Sequence, residues 1–443
     1  MSGKANTLRD LRRVCGLGPL NTPEELRFWV DTDAARADQF SLRTRIRQTL
    51  EDETDTRILV YGHGGSGKST ELSKLVETLG DAYFTVRFSI RNEMNLAAVQ
   101  AEDILLVLTE RLLQQAQEAD LSVSDSAIQP VHDYFATVTR ETRQSSDSTL
   151  KVAAEAKAGT GFLMPLVKLL ASIKSEIKLN AHSNETVVAR LRKRPADLLQ
   201  QINLVLNAVR HAIPAGRRLL LIVEDLDKLD IASARRVFIE NTNLLTGIVA
   251  DIIYTIPIFT FHSPDAGVLR TNFRAFGLPM IKTTEWNGKP APGFAAVRAI
   301  VHSRIEPSAI ASDALDLLIE KTGGVLQHTF EVLRDAASLN SSAIPLTRRE
   351  ITAALEHKRS EFWSDITLPT TPVAGVACVD QLYERLAEYA NRQVKGLKNP
   401  PKVDAINQIL LRSCALVEYN GKRWYGVHPL VIDNLRELGR VAD

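Results

Sequence analysis

Hydrophobic positions change period several times along the chain. Ile58-Leu59-Val60-Tyr61 is a short apolar run that stops at a cluster of glycines, which reads as a buried strand entering a turn. Residues 71–79 then follow helical spacing. Residues 83–90 alternate apolar and polar as a strand does, and residues 96–119 return to a helical pattern. Leu219 to Val223 is a continuous apolar run, residues 250–256 give a further strand, and residues 278–283 read as the last one. Strands that alternate with helical stretches predict a parallel sheet with helices on both faces, here over residues 57–290.

Other segments lie around this rhythm. Residues 1–56 read as a helical lead-in. Pro23-Glu24-Glu25-Leu26 opens like a helix, and Phe40, Leu42, Ile46 and Leu50 sit near helical spacing in residues 38–50. The second of these helices either walls a nucleotide base and ribose or simply packs. Residues 121–184 interrupt the alternation as an insertion. Polar stretches at 122–126 and 144–149 bracket a helical piece at 132–139. Then Phe162, Leu163, Leu166, Leu169, Leu170 and Ile173 lie among Lys168, Lys174 and Lys178. A basic amphipathic segment suits a membrane surface or a partner, and a one-sided apolar stripe equally suits the segment's own domain. Residues 185–213 read as helix that restarts at Pro195.

In the back third, residues 294–305, 311–322, 324–339 and 347–362 carry helical apolar spacing, a helical unit over 291–367. A linker at about 368–375 contains Pro369 and Pro372. Helices at 380–393 and 403–413 then precede strands at 415–419 and 423–427, joined at Asn420-Gly421, a strong hairpin signal. This order predicts a winged helix over 376–443. Winged helices commonly read DNA, and Lys402, Arg412, Lys422, Arg423 and Trp424 lie where contacts would form. Asp404 and Glu418 are interspersed and no dense basic stripe appears, so DNA contact and protein docking both stay open.

Composition adds bounds. The 443 residues suffice for two or three domains, and 44% hydrophobic with 24% charged residues is ordinary for a soluble protein. A net charge of +1 argues neither for nor against nucleic acid. Cys15, Cys378 and Cys414 lack metal-ligand or redox spacing, which fits a reducing cytosol. The N-terminal segment lacks the apolar core of a signal peptide, and no run of about 18 apolar residues exists, so a membrane role is not expected.

The chemistry concentrates in two stretches. The first, RILVYGHGGSGKSTEL, satisfies G-x-x-x-x-G-K-[ST] between a strand and a helix. Gly62, Gly64, Gly65 and Gly67 let the backbone curl around phosphates and aim N–H groups inward, with His63 and Ser66 in the same loop. The helix that follows adds its positive dipole end. Lys68 is the point charge for β- and γ-phosphates, Ser69 a Mg²⁺ ligand, and Thr70 either assists or is ordinary first-turn sequence. The second, RLLLIVEDLDKLD, ends a buried strand in Glu224-Asp225, about 155 residues after the loop. Acids there face the phosphate loop. By position Glu224 takes the metal side and Asp225 activates water, and Asp227 with Lys228 reads as a surface pair.

GSGKSTEL, LLLIVEDLDKL and IIYTIPI resemble motifs of prokaryotic AAA+/STAND-type P-loop ATPases, near the origin-recognition-like branch. The resemblance covers most of residues 40–440. It implies an α/β P-loop NTPase fold followed by a helical lid and a winged helix, with ATP and Mg²⁺ as cofactors. It implies an ATP-hydrolysing switch in the cytoplasm that signals to a homo-oligomer or effector protein, in bacterial regulation or anti-phage defence. The alternative is a DNA-binding or DNA-loading ATPase. Thr255, or Ser263, matches the γ-phosphate sensor position, although Thr is also an ordinary strand residue. Arg270 and Arg274 lie where such proteins carry an arginine finger, or are solvated. Gln327, beside His328, stands where related lids place an arginine after a glycine pair, and neutral Gln supplies less charge stabilisation. Arg334 lies about two turns further on.

Overall fold

A computed structural model describes residues 3–16, 18–36, 41–143, 161–179, 187–340, 344–419 and 424–442. Phe40, the polar run 144–149, the hairpin dipeptide Asn420-Gly421, and Lys422 with Arg423 lie outside the described residues.

Five parallel strands form the central sheet. They are β1 (Arg57–Gly62), β2 (Tyr83–Ser89), β3 (Arg218–Glu224), β4 (Asp251–Pro257) and β5 (Arg274–Gly277), in the order β2-β3-β4-β1-β5. Helices cover both faces, and with the phosphate loop after β1 this is an α/β P-loop NTPase fold. Alternation along the strands decides what each face carries. Ile58, Val60, Leu220, Ile222 and Ile253 pack with Leu72 and Leu75 of the helix Lys68–Leu79 and with Ile46 and Leu50 of the helix Leu42–Asp52. Leu59, Val86, Leu221, Ile252 and Tyr254 join the larger core on the other side, with the helices Ala101–Glu118 and Pro195–Ala212. By the same parity Arg87, Glu224 and Thr255 fall on the face of the Lys68–Leu79 helix, at or near the carboxyl ends of their strands.

The last strand differs from expectation. It is Arg274–Gly277, and residues 278–283 are not a strand. The Leu278 amide still donates to the Tyr61 carbonyl at 2.8 Å. Pro279 follows with no N–H to give, so the ladder ends there.

The described part of the insertion packs on its own body. Leu166, Leu169, Leu170 and Ile173 of the helix Leu163–Leu179 are buried in the large core, and Lys174 pairs with Glu93 at 3.0 Å and Glu110 at 2.5 Å. Among the described residues no helix is long and apolar enough to cross a membrane.

Helices Gly293–Arg304, Ser312–Thr322, Leu326–Leu339 and Arg348–Asp365 follow the sheet. The N-terminal helix Leu8–Cys15 packs on Leu326–Leu339, with the Arg12 guanidinium donating to the Ala337 carbonyl at 2.9 Å. The chain closes with helices Asp380–Val394 and Ala405–Arg412, the antiparallel pair β6 (Leu416–Tyr419) and β7 (Trp424–Val427), and the helix Pro429–Glu437.

Candidate functional site

The loop after β1 turns sharply enough to need glycine at two points. Gly65 has φ +74°, and a Cβ there would lie 2.5 Å from the Gln327 Cβ. Gly67 has φ +99° and caps the helix Lys68–Leu79. Lys68 begins that helix and is only 5% exposed. Its Nζ donates to the carbonyls of Gly62 at 3.0 Å and His63 at 2.8 Å, and pairs with Asp227 at 2.7 Å. An ammonium has three N–H donors, and all three have acceptors.

The acids after β3 separate. One Glu224 oxygen accepts from Arg87, whose guanidinium also reaches the Ser69 carbonyl at 2.9 Å and Ser73 Oγ at 2.7 Å. The other Glu224 oxygen is buried with no hydrogen-bond partner among the described residues. Asp225 follows in a left-handed conformation, φ +63°. It accepts from Ser89 Oγ and pairs with Lys228 at 2.8 Å. Burial alone would raise its carboxyl pKa. Hydrogen bonds from Lys228 and Ser89 outweigh burial and hold it below the ordinary value. The surface pair expected between Asp227 and Lys228 does not form. The one-turn helix Leu226–Lys228 reverses the chain, so Asp227 turns back to Lys68 while Lys228 turns to Asp225.

A cavity of about 330 Å³ opens over the loop. Its floor is Gly65, Gly67, Lys68, Ser69 and Thr70, with Asp225, Asp227 and Lys228 at one side. Arg304, Gln327, Phe330 and Arg334 come from the helices above. The remaining wall is Cys15, Gly16, Gly18 and Pro19. The lead-in therefore reaches the cavity through these early residues, whereas the helix Leu42–Asp52 packs beneath on Lys68–Leu79. Thr70 Oγ1 accepts from the Leu20 amide at 3.2 Å and ties the lead-in to the loop.

The remaining candidates fall in different places. Thr255 is fully buried, and its Oγ1 has no partner among the described residues. Ser66 Oγ is likewise buried and unpartnered. Ser263 lines a separate cavity of about 620 Å³, between the sheet domain and the linker with Pro369 and Pro372. Arg270 is exposed; its guanidinium donates to the Phe261 carbonyl at 3.4 Å and lies 5.7 Å over the Phe261 ring. Arg274 opens β5 opposite Ile58, at the sheet edge away from the loop, and pairs with Glu53 at 2.5 Å. Neither arginine lines the cavity over its own loop. Gln327 does lie against Gly65, with its amide donating to Glu331 at 2.8 Å.

His63 points away from the cavity. It is 1% exposed, and its Nε2 accepts from the Glu418 amide of β6 at 2.8 Å. The Glu418 carboxylate pairs with His262 at 2.9 Å, and the Tyr419 hydroxyl donates to the Gly323 carbonyl at 2.8 Å. His328 and His428 form a buried contact at 3.1 Å. Arg36 grips the loop from the lead-in, its guanidinium donating to the Ser66 carbonyl at 2.7 Å and to the Pro279 carbonyl. Neither Arg36 nor Arg87 sits in a local motif. The signal for Arg87 is parity, because it shares a strand face with the buried Tyr83.

The residues fit a nucleotide with Mg²⁺. The loop supplies the cradle and the cation, and Ser69, Asp225 and Asp227 line the same cavity. Glu224, Thr255 and Ser66 keep buried oxygens without partners among the described residues, but none of the three lines that cavity, and Glu224 lines a separate one with Arg87 and Ser89. No family model and no curated relative matches the chain. Similar solved structures include a Walker-type ATPase of Pyrococcus abyssi, 12% identical with a TM-score of 0.41 over 96% of this chain and 99% of that one. Another is the ORC1 protein of Aeropyrum pernix in complex with DNA, 10% identical with a TM-score of 0.39 over 94% of each chain.

Proposed function

We propose that this protein is an ATP-binding and ATP-hydrolysing switch of the AAA+/STAND type whose C-terminal unit reports the nucleotide state. One observation carries the reading: a single phosphate loop is touched at once by three parts of the chain. Asp227 holds Lys68, Gln327 abuts Gly65, and the Glu418 amide donates to His63. A phosphate entering this loop alters the contacts of all three. In this reading residues 57–290 are the ATPase core, 291–367 the lid and 376–443 the winged helix, with 1–56 as the lead-in.

The residues take the following roles. Backbone N–H groups of Gly62 to Ser69 bind the phosphates and Lys68 neutralises them. Ser69 and Glu224 would hold Mg²⁺, which supplies further charge neutralisation. Asp225 accepts a proton as the water oxygen bonds to the γ-phosphorus and the bond to the β–γ bridging oxygen breaks. Thr255 senses the γ-phosphate. The winged helix, joined to the loop through His63 and Glu418, then presents itself to an effector or a further copy of the chain, in bacterial regulation or antiviral defence.

The alternative is a DNA-binding or DNA-loading ATPase. The helix Ala405–Arg412 that would enter a groove packs on the segment Ile258–Phe261, and its Ala405, Gln408 and Arg412 line the cavity facing the core. The deciding experiment pairs nucleotide binding with hydrogen exchange. ATP should change exchange of the β6 amides, Glu418 above all, and Lys68→Ala should abolish both binding and that change. Wild-type affinity in Lys68→Ala removes the ATP reading. Binding without any change at β6 removes the switch and leaves a plain ATPase.

A further inference from the structure

We propose that Asp227 is a positioning residue that competes with nucleotide phosphates for Lys68 and so holds the turn 225–228 in a resting arrangement. The inference rests on the loop being an ATP site, as proposed above.

Three observations carry it. First, Lys68 has no spare donor: two loop carbonyls and Asp227 take all three. Asp227 is its ionic partner among the described residues, and the two side chains are 4% and 8% exposed. Second, the phosphate oxygens need the same ammonium. Two anionic groups cannot both stay against one cation without repelling each other, so phosphate arrival displaces the carboxylate. Third, the displaced residue sits in a turn whose other acid is also tied. Asp225 is left-handed, a conformation unfavourable for a residue with a Cβ. It is held by Ser89 and Lys228.

Leu226, between the two acids, is fully buried and fixes the pivot. Displacing Asp227 therefore moves Lys228, the next residue of the turn, and loosens its pair with Asp225. The phosphate thus frees the proton acceptor that its own hydrolysis needs. A nucleotide-free loop stays closed on itself, with its cation satisfied and its acid engaged.

The test measures ADP and ATP affinity of Asp227→Asn by calorimetry, with and without Mg²⁺. Removing a charge-assisted competitor should tighten both nucleotides, by roughly tenfold. In steady state the gain should appear in KM. Asp227→Glu, which keeps the charge, should return affinity towards wild type. A merely structural aspartate predicts lower melting temperature with unchanged or weaker binding, and a metal-side aspartate predicts weaker binding only with Mg²⁺. Either outcome overturns the proposal. If the Asn variant does not fold, wild-type exchange decides: ADP should deprotect the Lys228 and Leu229 amides, which now donate to the carbonyls of Asp225 and Leu226. Unchanged protection there, with ADP bound, overturns it. Wild-type protein that binds no nucleotide at all defeats the ATP reading instead, so the two failures are distinguishable.

Discussion

Each carboxylate after β3 sits among different neighbours, and the neighbours predict different losses. Glu224 faces the first turn of Lys68–Leu79 through Arg87 and keeps one oxygen unpartnered. Glu224→Gln should weaken Mg²⁺-dependent ATP binding while retaining a hydrogen bond to Arg87. Asp225→Asn should leave binding intact and slow turnover by about 10²–10⁴. Affinity and single-turnover rates, with and without Mg²⁺, check both, and the opposite pattern exchanges the two roles. Histidines predict an acid response. Burial pushes His63 down to about 4 from 6.5 and His328 down to about 3. Between those values and 6.5 the unfolded chain binds more protons than the folded one. Stability is therefore full above about 6.5 and falls as pH drops towards 4. His63→Gln keeps an acceptor for the Glu418 amide and removes one titration. It should reduce the stability lost between pH 7 and 5 by about 2 kcal/mol, read by urea unfolding at both pH values. An unchanged pH dependence would show that His63 is not buried neutral.

At the scale of elements, the joint is the short strand β6. Its Glu418 amide meets the loop, its Glu418 carboxylate meets His262, and its Tyr419 hydroxyl meets Gly323 before the helix Leu326–Leu339. The Tyr419 ring also packs 4.9 Å from Trp424. Tyr419→Phe keeps the ring and removes one buried hydrogen bond, at a cost of about 1 kcal/mol. The C-terminal unit should then open more readily, seen as faster exchange of β6 amides without nucleotide, while ATP affinity is preserved. The helix Leu326–Leu339 offers a second element-scale test. Its Gln327, Phe330 and Arg334 face the cavity, and a cation at position 327 would stand against Gly65. Gln327→Arg should raise the basal hydrolysis rate of dilute protein, measured by phosphate release.

Over the whole molecule, neither candidate finger serves its own site. Arg274 lies at the amino end of the edge strand β5, away from the loop at the carboxyl end of β1, and Arg270 is exposed elsewhere. A finger contributes about 10³–10⁵ in rate by meeting charge on the γ-phosphoryl oxygens. Turnover per subunit should therefore rise with protein concentration, and Arg270→Ala or Arg274→Ala should lose the rise while keeping affinity. A flat profile from dilute to concentrated protein, insensitive to both arginines, would leave a self-contained ATPase.

What the sequence determines by itself is local. Four glycines, a lysine and a serine at fixed spacing form the phosphate cradle from contiguous backbone, so no distant residue is needed to read it. The apolar run of β3 and its terminal acids follow from strand periodicity in the same way. Most helices from residue 294 onwards were also legible, because apolar spacing at 3.6 residues survives wherever one face is buried. The last strand lies wholly before its expected place, because Arg274–Gly277 is a part-exposed edge strand with little apolar signal, and Pro279 ends the ladder through a missing donor, not through hydropathy. Asp227 was read as a surface partner of Lys228 because adjacency is all that sequence offers two charges beyond a strand. Only the folded turn decides that it meets Lys68, 159 positions back in the chain and 2.7 Å away. Tertiary structure likewise decided that His63 holds Glu418, that Cys15, Gly16, Gly18 and Pro19 wall the cavity, and that the insertion's apolar stripe is inside. Each is a contact between segments far apart in sequence, set by how sheet, helices and C-terminal unit close on one another, which spacing along one segment does not encode.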